Sequence, residues 1–253
     1  MSHFPYRLTG PIGSKARLGL IALQVDETIE QDFRRLFPSR DVAIYVNRIP
    51  SGAELTPDTI AQMARDLPAA AALLPQASTF DAVAYGCTSG TTLIGVDRVR
   101  DLVRGAVPTR HVAQPLTATL TAFAALDVTS IGLVSPYIET VSGPMQHTFE
   151  AAGYRVPAMV SFGEEVEANV ARIDPASIHA AALEVGSQPE VEAVFLSCTN
   201  LRTLDIIEDL EQRLGKPVVS SNQALAWHMA RMAQAPLATD APGQLFTKPL
   251  PQG

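Results

Sequence analysis

The chain has 253 residues, a formal net charge of −7 and a hydrophobic content of 47%. This length is enough for one large domain or for two of roughly 110–130 residues that each bury a core. The acidic balance argues against a nucleic-acid-binding protein, which usually carries a basic face, and no apolar run of about 18 residues indicates a membrane span.

Short apolar runs alternate with amphipathic segments along the first half. Thr56 and Pro57 are typical of the first residues of a helix. The predicted elements are strands at 17–23, 42–46, 81–85 and 107–113, and helices at 26–37, 56–74, 96–105 and 116–126. Because most of these strands are apolar on both faces, the pattern indicates a parallel sheet in an α/β fold.

The second half repeats the pattern of the first. Gly19 lies in a short apolar run that matches the run around Gly132, and the segment that ends in Cys87-Thr88 matches the one that ends in Cys198-Thr199. The offsets, 113 and 111 residues, predict a duplicated half of about 110 residues. Any α/β protein shows such echoes between strands, but here the only two cysteines fall at equivalent places.

We therefore predict three segments: a first α/β half at 1–127 with Cys87, a second at 128–235 with Cys198, and a proline-rich tail at 236–253. Each half is expected to be a mostly parallel sheet flanked by helices, with the site in the cleft between the two halves. The tail has little periodicity, so we predict an extended or mobile segment that packs on a partner subunit.

The two cysteines are the predicted catalytic residues. Each follows a strand, where parallel sheets bind ligands, and two cysteines in a cytoplasmic protein are expected to be reduced. The hydroxyl groups and backbone N–H groups that follow are expected to hold a carboxylate, and the helix start is expected to lower each thiol pKa towards neutrality. Two opposed thiols suit a racemase or isomerase, whereas a single buried cysteine is commonly a small apolar side chain. The predicted carboxylate-binding residues here are Thr88, Ser89, Thr199 and Asn200.

Other candidates each have a structural alternative. Asp26 and Thr28 lie at the same predicted rim but are also suited to cap a helix. Tyr137 is expected to donate to a substrate carboxylate, or else to be a core aromatic residue. His228 is expected to be packed in the core. The remaining acidic group is expected to be solvated and consists of Glu164, Glu165 and Glu167.

The sequence predicts neither a metal site nor a cofactor. None of the five histidines pairs with another at metal-ligand spacing. A glycine-rich dinucleotide fingerprint and a phosphate loop are both absent. The first 16 residues lack the apolar segment of a secretory signal, so a cytoplasmic location is expected.

The sequence contains five short motifs: Tyr85-Gly-Cys-Thr-Ser89, Ser197-Cys-Thr-Asn-Leu-Arg202, Ser135-Pro-Tyr137, Val170-Ala-Arg-Ile-Asp-Pro175 and Ser220-Ser-Asn-Gln-Ala-Leu-Ala-Trp227. Through these motifs the sequence from about 17 to 233 resembles the Asp/Glu racemase superfamily. The last three motifs point to the branch of maleate cis–trans isomerases and arylmalonate decarboxylases. Within that branch the chain also resembles ectoine-utilisation proteins of racemase-like type.

The resemblance implies two pseudo-twofold α/β halves, no cofactor, and a homodimer or higher oligomer. Because decarboxylases of the branch have glycine at the first cysteine position, Cys87 disfavours decarboxylation. Tyr137 matches a carboxylate-binding tyrosine of the isomerases. Asp26 stands where maleate isomerases have asparagine, and Asn200 stands where racemases have histidine or glutamate.

The expected function is a cofactor-independent isomerase or racemase with an amino-acid-type or ectoine-derived carboxylate substrate. Two alternatives stay open: a maleate cis–trans isomerase, and a non-catalytic carboxylate-binding protein of the same fold.

Overall fold

The computed structural model describes residues 3–54 and 56–251, and within them strands and helices alternate as predicted. The first half contains β1 (Ala16–Leu23), α1 (Ile29–Leu36), β2 (Val42–Ile49), α2 (Pro57–Ala72), β3 (Phe80–Gly86), α3 (Thr88–Ile94), α4 (Val96–Arg104), β4 (Thr109–Ala113) and α5 (Pro115–Leu126). The second half contains β5 (Ser130–Tyr137), α6 (Glu139–Ala151), β6 (Arg155–Glu164), α7 (Glu167–Val170), α8 (Pro175–Gly186), β7 (Ala193–Leu196), α9 (Ile207–Leu214), β8 (Val218–Ser220) and α10 (Ser221–Ala233).

The strands form two four-stranded sheets with the same topology. Their orders are β2-β1-β3-β4 and β6-β5-β7-β8, and neighbouring strands are parallel in both. The first strand of each half lies beside the strand that precedes a cysteine. The predicted α/β fold with two similar halves is therefore confirmed.

Local sequence signals explain several of the element boundaries. The predicted helix start at Thr56 is confirmed, because its hydroxyl accepts the Thr59 N–H at 3.2 Å while the Thr59 hydroxyl accepts the Thr56 N–H at 2.9 Å. This reciprocal pair is a capping box. Strand β2 continues to Ile49, beyond the predicted end at residue 46.

Equivalent glycines let neighbouring side chains pack closely on β1 and β5, the first strand of each half. A Cβ on Gly19 would lie 2.9 Å from Leu74 Cδ1, and one on Gly132 would lie 3.0 Å from Val185 Cβ. Any larger residue at either position would push the packed side chains apart. The repeated glycine thus has a packing role in both halves.

The last helix of each half packs across the boundary between the halves. Helix α10 contacts α5, β3 and β4 of the first half. In turn, Phe123 of α5 packs on Phe149 and Phe195 of the second half, with ring centroids 5.8 and 5.9 Å apart. The two cores are therefore interlocked, while the division of the chain at residue 127 stays a prediction.

The proline-rich tail, which was predicted to be extended or mobile and to pack on a partner subunit, packs on α10 of its own chain. Its contact with a partner subunit stays a prediction. The indole N–H of Trp227 donates to the Lys248 carbonyl at 2.9 Å, and Arg231 donates to the Phe246 carbonyl at 2.7 Å. Leu245 is fully buried within a short 3₁₀ helix. Apolar residues in the tail thus anchor it to α10.

Candidate active site

Both cysteines lie at the carboxyl ends of strands, as predicted. Cys87 follows β3 directly and is the N-cap residue of α3, and Cys198 lies two residues after the end of β7. Both are free thiols, with only 3% and 4% of their surface exposed. Since their strands are equivalent in the two sheets, each half contributes one thiol.

Hydrogen bonds join the two cysteine loops directly. The Ser221 hydroxyl accepts the Cys198 backbone N–H at 3.1 Å and bonds the Thr88 hydroxyl at 2.9 Å. The Thr199 hydroxyl donates to the Gly86 carbonyl at 3.3 Å. The structure therefore brings Cys87 and Cys198 into one buried site between the halves.

The Cys87 thiol is surrounded by its own loop. Its sulfur accepts the Gly90 N–H at 3.1 Å. A Cβ on Gly90 would lie 2.7 Å from both Cys87 Sγ and Tyr85 Oη, so glycine is required there. Burial raises the pKa of Cys87 to about 12, and the charges of Glu167 and Asp26 act in the same direction.

The Cys198 thiol has a different set of partners. Its sulfur lies 3.0 Å from Tyr137 Oη and accepts the Asn200 N–H at 3.3 Å. Burial, followed by the charge of Glu167, raises the pKa of Cys198 well above its ordinary value. The predicted lowering of the thiol pKa values is therefore wrong, because desolvation outweighs the N–H donors at both sulfurs.

Glu167 is part of this site, contrary to the predicted solvated role. It is 1% exposed and accepts the Tyr137 hydroxyl proton at 2.7 Å. Burial raises the pKa of its carboxyl group. Glu164 and Glu165, by contrast, are half-buried and exposed. An acidic cluster in sequence hides this difference, because the chain turns inward only at Glu167.

Asp26 lies where both predictions put it: it caps the start of α1, and it lies at the same rim as the cysteines. Its Oδ1 accepts the N–H groups of Thr28 and Ile29 at 2.8 Å each. Its Oδ2 is buried and has no hydrogen-bond partner among the described residues. Burial raises the pKa of Asp26, so the site contains two carboxyl groups that are costly to ionise.

The predicted carboxylate-binding residues differ in their availability. Ser89 is buried and its hydroxyl lacks a partner within residues 3–54 and 56–251. Asn200 is already engaged: its Oδ1 accepts the Glu27 N–H at 2.9 Å, and its Nδ2 donates to the Glu167 carbonyl at 3.1 Å. The Thr28 hydroxyl donates to the Asn200 carbonyl at 2.9 Å. Asn200 thus links the halves.

Two further residues of the site come from the start of α10. Ser221 joins the cysteine loops, and Asn222 donates to Asp32 Oδ2 at 2.8 Å and to the Thr199 carbonyl at 2.7 Å. Sequence reasoning did not nominate either residue as part of the site. Their position directly after β8, at the same rim as both cysteines, is the signal that would have found them.

Residues 53 and 54, which follow β2, lie against the segment that contains Glu167. Glu54 forms an antiparallel bridge with Val166, and the Glu167 N–H donates to the Ala53 carbonyl at 3.1 Å. A cavity of about 220 Å³ beside Tyr137 is also lined by Glu54, Thr56 and Glu164. Residues from before α2 and from the end of β6 therefore meet beside Tyr137.

Two absences hold for the part of the chain that the structure describes. No three His, Cys, Asp or Glu side chains cluster as metal ligands, and no helix has the length and apolar character needed to cross a lipid bilayer.

His228 is buried, as predicted, and burial lowers its pKa to about 4.

Comparison with known proteins agrees with this geometry. Residues 53–246 match the arylmalonate decarboxylase family. Arylmalonate decarboxylase from Bordetella bronchiseptica is 35% identical over 119 residues, which cover 46% of this chain and 49% of that protein. Maleate isomerase from Nocardia farcinica (strain IFM 10152) is 28% identical over 123 residues, 48% of this chain and 49% of that protein. The chain thus spans about half the length of the curated relatives it matches.

The architecture is shared over nearly the whole chain. The crystal structure of the maleate isomerase Iso from Pseudomonas putida S16 superposes with a TM-score of 0.80 at 20% sequence identity. The superposition covers 91% of this chain and 98% of that one. This similarity supports the two-halved fold.

Proposed function

This chain belongs to the arylmalonate decarboxylase family, and we propose that it is a cofactor-independent isomerase or racemase of a small carboxylate. Cys87 and Cys198 are its acid/base residues. The single observation that carries the proposal is the pair of buried cysteines, one from each half, whose loops are joined through hydrogen bonds of Ser221 and Thr199.

The chemistry follows from the placement of the thiols at equivalent strand ends. One cysteine, as thiolate, removes a proton from the carbon next to the carboxylate, and its S–H bond forms. The other cysteine, as thiol, delivers its own proton to the opposite face and becomes the thiolate. Because the reverse reaction exchanges the two roles, the same site runs in both directions.

Ser89 and the backbone N–H groups that follow Cys87 are the groups we assign to the substrate carboxylate. The Ser89 hydroxyl is buried and unpaired within the described residues. A buried hydroxyl without a partner is costly, so a carboxylate that accepts its proton would be stabilised there. Tyr137 lies beside Cys198, and we assign to it the role of orienting the reacting carbon.

The two acidic residues favour an amino-acid-type or ectoine-derived carboxylate. Asp26 and Glu167 are both buried, and the negative charge of each raises the pKa of both thiols. Like charges about 4 Å apart repel by about 4 kcal/mol at an effective dielectric constant of about 20, which disfavours a dianion. A substrate ammonium group would instead be attracted to either carboxylate.

Maleate cis–trans isomerisation is the second candidate. The presence of cysteine at both positions and the match to maleate isomerase from Nocardia farcinica support it. There, one thiolate would add to the double bond and the other thiol would supply the proton. A non-catalytic carboxylate-binding protein is the third, and it requires neither thiol to react.

A substrate screen distinguishes these candidates. Aspartate, glutamate, ectoine-derived diaminobutyrates and maleate are incubated in D₂O, and deuterium incorporation and configuration are followed by NMR. We expect exchange and a change of configuration with an amino carboxylate, and loss of the change of configuration in Cys87→Ser and in Cys198→Ser. Full turnover in both variants would refute the two-thiol mechanism, and saturable binding without any exchange would favour the binding protein.

The cytoplasmic location and the homodimeric state also stay proposals. Both derive from the sequence and its resemblance to the superfamily. Sedimentation equilibrium of the purified chain measures the oligomeric state, and a monomeric mass would contradict the proposed dimer.

A further inference from the structure

Three side chains form a continuous hydrogen-bonded row at one thiol. Tyr137 Oη donates to Glu167 Oε1 at 2.7 Å and lies 3.0 Å from Cys198 Sγ. A phenol has only one proton, so while that proton points to Glu167 the Cys198 thiol must donate to Tyr137. This arrangement corresponds to a Cys198 thiol, a neutral Tyr137 and a Glu167 carboxylate.

The surroundings make direct ionisation of Cys198 costly. The charged groups that face its sulfur are Glu167 and Asp26, which are both acidic. The Tyr137 hydroxyl and the Asn200 N–H are the donors around it. Loss of the thiol proton to solvent would therefore place an additional negative charge in a buried acidic site.

We propose that Glu167 accepts the Cys198 proton through Tyr137. The Cys198 S–H bond breaks and its proton goes to Tyr137 Oη, while the Tyr137 O–H proton goes to Glu167 Oε1. The products are a Cys198 thiolate, an unchanged Tyr137 and a protonated Glu167, so the total charge of the three groups stays at −1. The reverse transfer restores the thiol.

Glu167 is a positioning residue in this scheme, because it acts through Tyr137. The scheme deepens the proposed function, on which its catalytic meaning rests. Glu167 is well placed for it, since its N–H is held by the Ala53 carbonyl and its own carbonyl by Asn200 Nδ2, both at 3.1 Å. Burial raises the pKa of Glu167, which makes its carboxylate a better proton acceptor than an exposed carboxylate.

The other thiol has no equivalent row. Tyr85 lies beside Cys87, but its hydroxyl donates to Met63 Sδ at 3.6 Å. Among the hydrogen bonds of the described residues, none connects Tyr85 to a carboxylate. Among the described residues the proton-accepting row is thus found at Cys198 and not at Cys87. The Cys87 thiol can therefore serve as an internal control.

Substitution of Glu167 by glutamine separates this scheme from a simple charge effect. As a nearby negative charge alone, Glu167 opposes the thiolate, so Glu167→Gln would increase the thiolate fraction of Cys198. As the proton acceptor, Glu167 is needed to form the thiolate, so the same substitution would decrease it. The two explanations predict opposite signs.

The experiment measures the rate of Cys198 alkylation by iodoacetamide, a neutral reagent, from pH 6 to 9 in a Cys87→Ser background. We expect Glu167→Gln to slow the reaction about tenfold at pH 7 and to move its pH profile upward. Tyr137→Phe should slow it similarly. The double variant should be no slower than Tyr137→Phe, because both changes interrupt one row.

Two controls make the result decisive. Glu165→Gln removes an exposed carboxylate two residues away and should leave the rate unchanged. Cys87 alkylation in a Cys198→Ser background should become slightly faster in Glu167→Gln, because the charge of Glu167 raises the pKa of Cys87. Faster or unchanged Cys198 alkylation in Glu167→Gln, or equal slowing of both thiols, would overturn the scheme. Since no substrate is involved, this result is independent of whether the proposed turnover is observed.

Discussion

Cys87 and Cys198 occupy equivalent places in the two halves but differ in their partners. Each sulfur is buried and accepts one backbone N–H. The tyrosine beside Cys87 comes from its own strand, whereas the tyrosine beside Cys198 comes from the end of β5 and continues to Glu167. Cys198 also has a φ of 153°, a sparsely populated backbone conformation. The two halves thus share the positions of their strand ends, while the residues around each sulfur set the chemistry of that thiol.

Loss of either thiol is the largest expected effect. Cys87→Ser and Cys198→Ser should each reduce turnover by about 10³-fold, because a hydroxyl is a far weaker acid than a thiol and does not ionise to become the base. Steady-state rates on the substrate found by the screen measure this. Near-normal turnover in one variant would mean that only the other thiol reacts. This result would contradict the proposal that both thiols take part.

The two tyrosines offer a matched pair of changes. Tyr137→Phe should reduce turnover by about 10²-fold, because it removes the hydroxyl that contacts the Cys198 sulfur. Tyr85→Phe should reduce it less, because the Tyr85 hydroxyl lowers the pKa of Cys87 but does not continue to a carboxylate. Equal losses in kcat would show that the two thiols have equivalent surroundings.

Asp26→Asn tests the charge preference of the site. Removing one buried carboxyl group should improve kcat/KM for maleate relative to an amino carboxylate by about tenfold, since it relieves repulsion of a dianion. Asparagine still offers an oxygen to the Thr28 and Ile29 N–H groups, so the helix cap is kept. An unchanged ratio would place the substrate charge away from Asp26.

Asp32→Asn tests the buried contact between α1 and α10. Burial raises the pKa of Asp32 to about 7, so the folded state retains a proton that the unfolded chain has already lost. The free energy of unfolding should therefore decrease as the pH rises from about 4 to about 7. Asp32→Asn should abolish this pH dependence and raise the free energy of unfolding at pH 8 by roughly 1–3 kcal/mol. Urea unfolding of the parent protein and of Asp32→Asn at pH 5 and pH 8 measures this change. An equal difference in unfolding free energy between the two pH values in both proteins would contradict the assignment of the pH dependence to Asp32.

The sequence predicted the fold and the positions of the cysteines, but it did not predict their partners. Strand ends are local features, so apolar runs and the repeated Gly19 and Gly132 were sufficient to place Cys87 and Cys198. The link from Tyr137 to Glu167 depends on where β6 ends and on contact with the Ala53 carbonyl. Such contacts join distant parts of the chain, and composition made Glu167 look like its solvated neighbours.

The thiol pKa values show the same limit. The Gly90 N–H donor at Cys87 is readable from sequence, and it does act to lower the pKa of Cys87. The degree of burial is not readable in this way, because it depends on the packing of one half against the other. Burial is the larger effect, so the sequence-based prediction had the wrong sign.

Enantiomer-resolved exchange in D₂O tests the central claim most directly. Each enantiomer of the converted substrate is incubated with Cys87→Ser and with Cys198→Ser, and exchange of its α-proton is followed by NMR. Two opposed thiols predict that one variant exchanges only one enantiomer, that the other variant exchanges only its mirror image, and that neither racemises. Exchange of the same enantiomer by both variants would contradict the account.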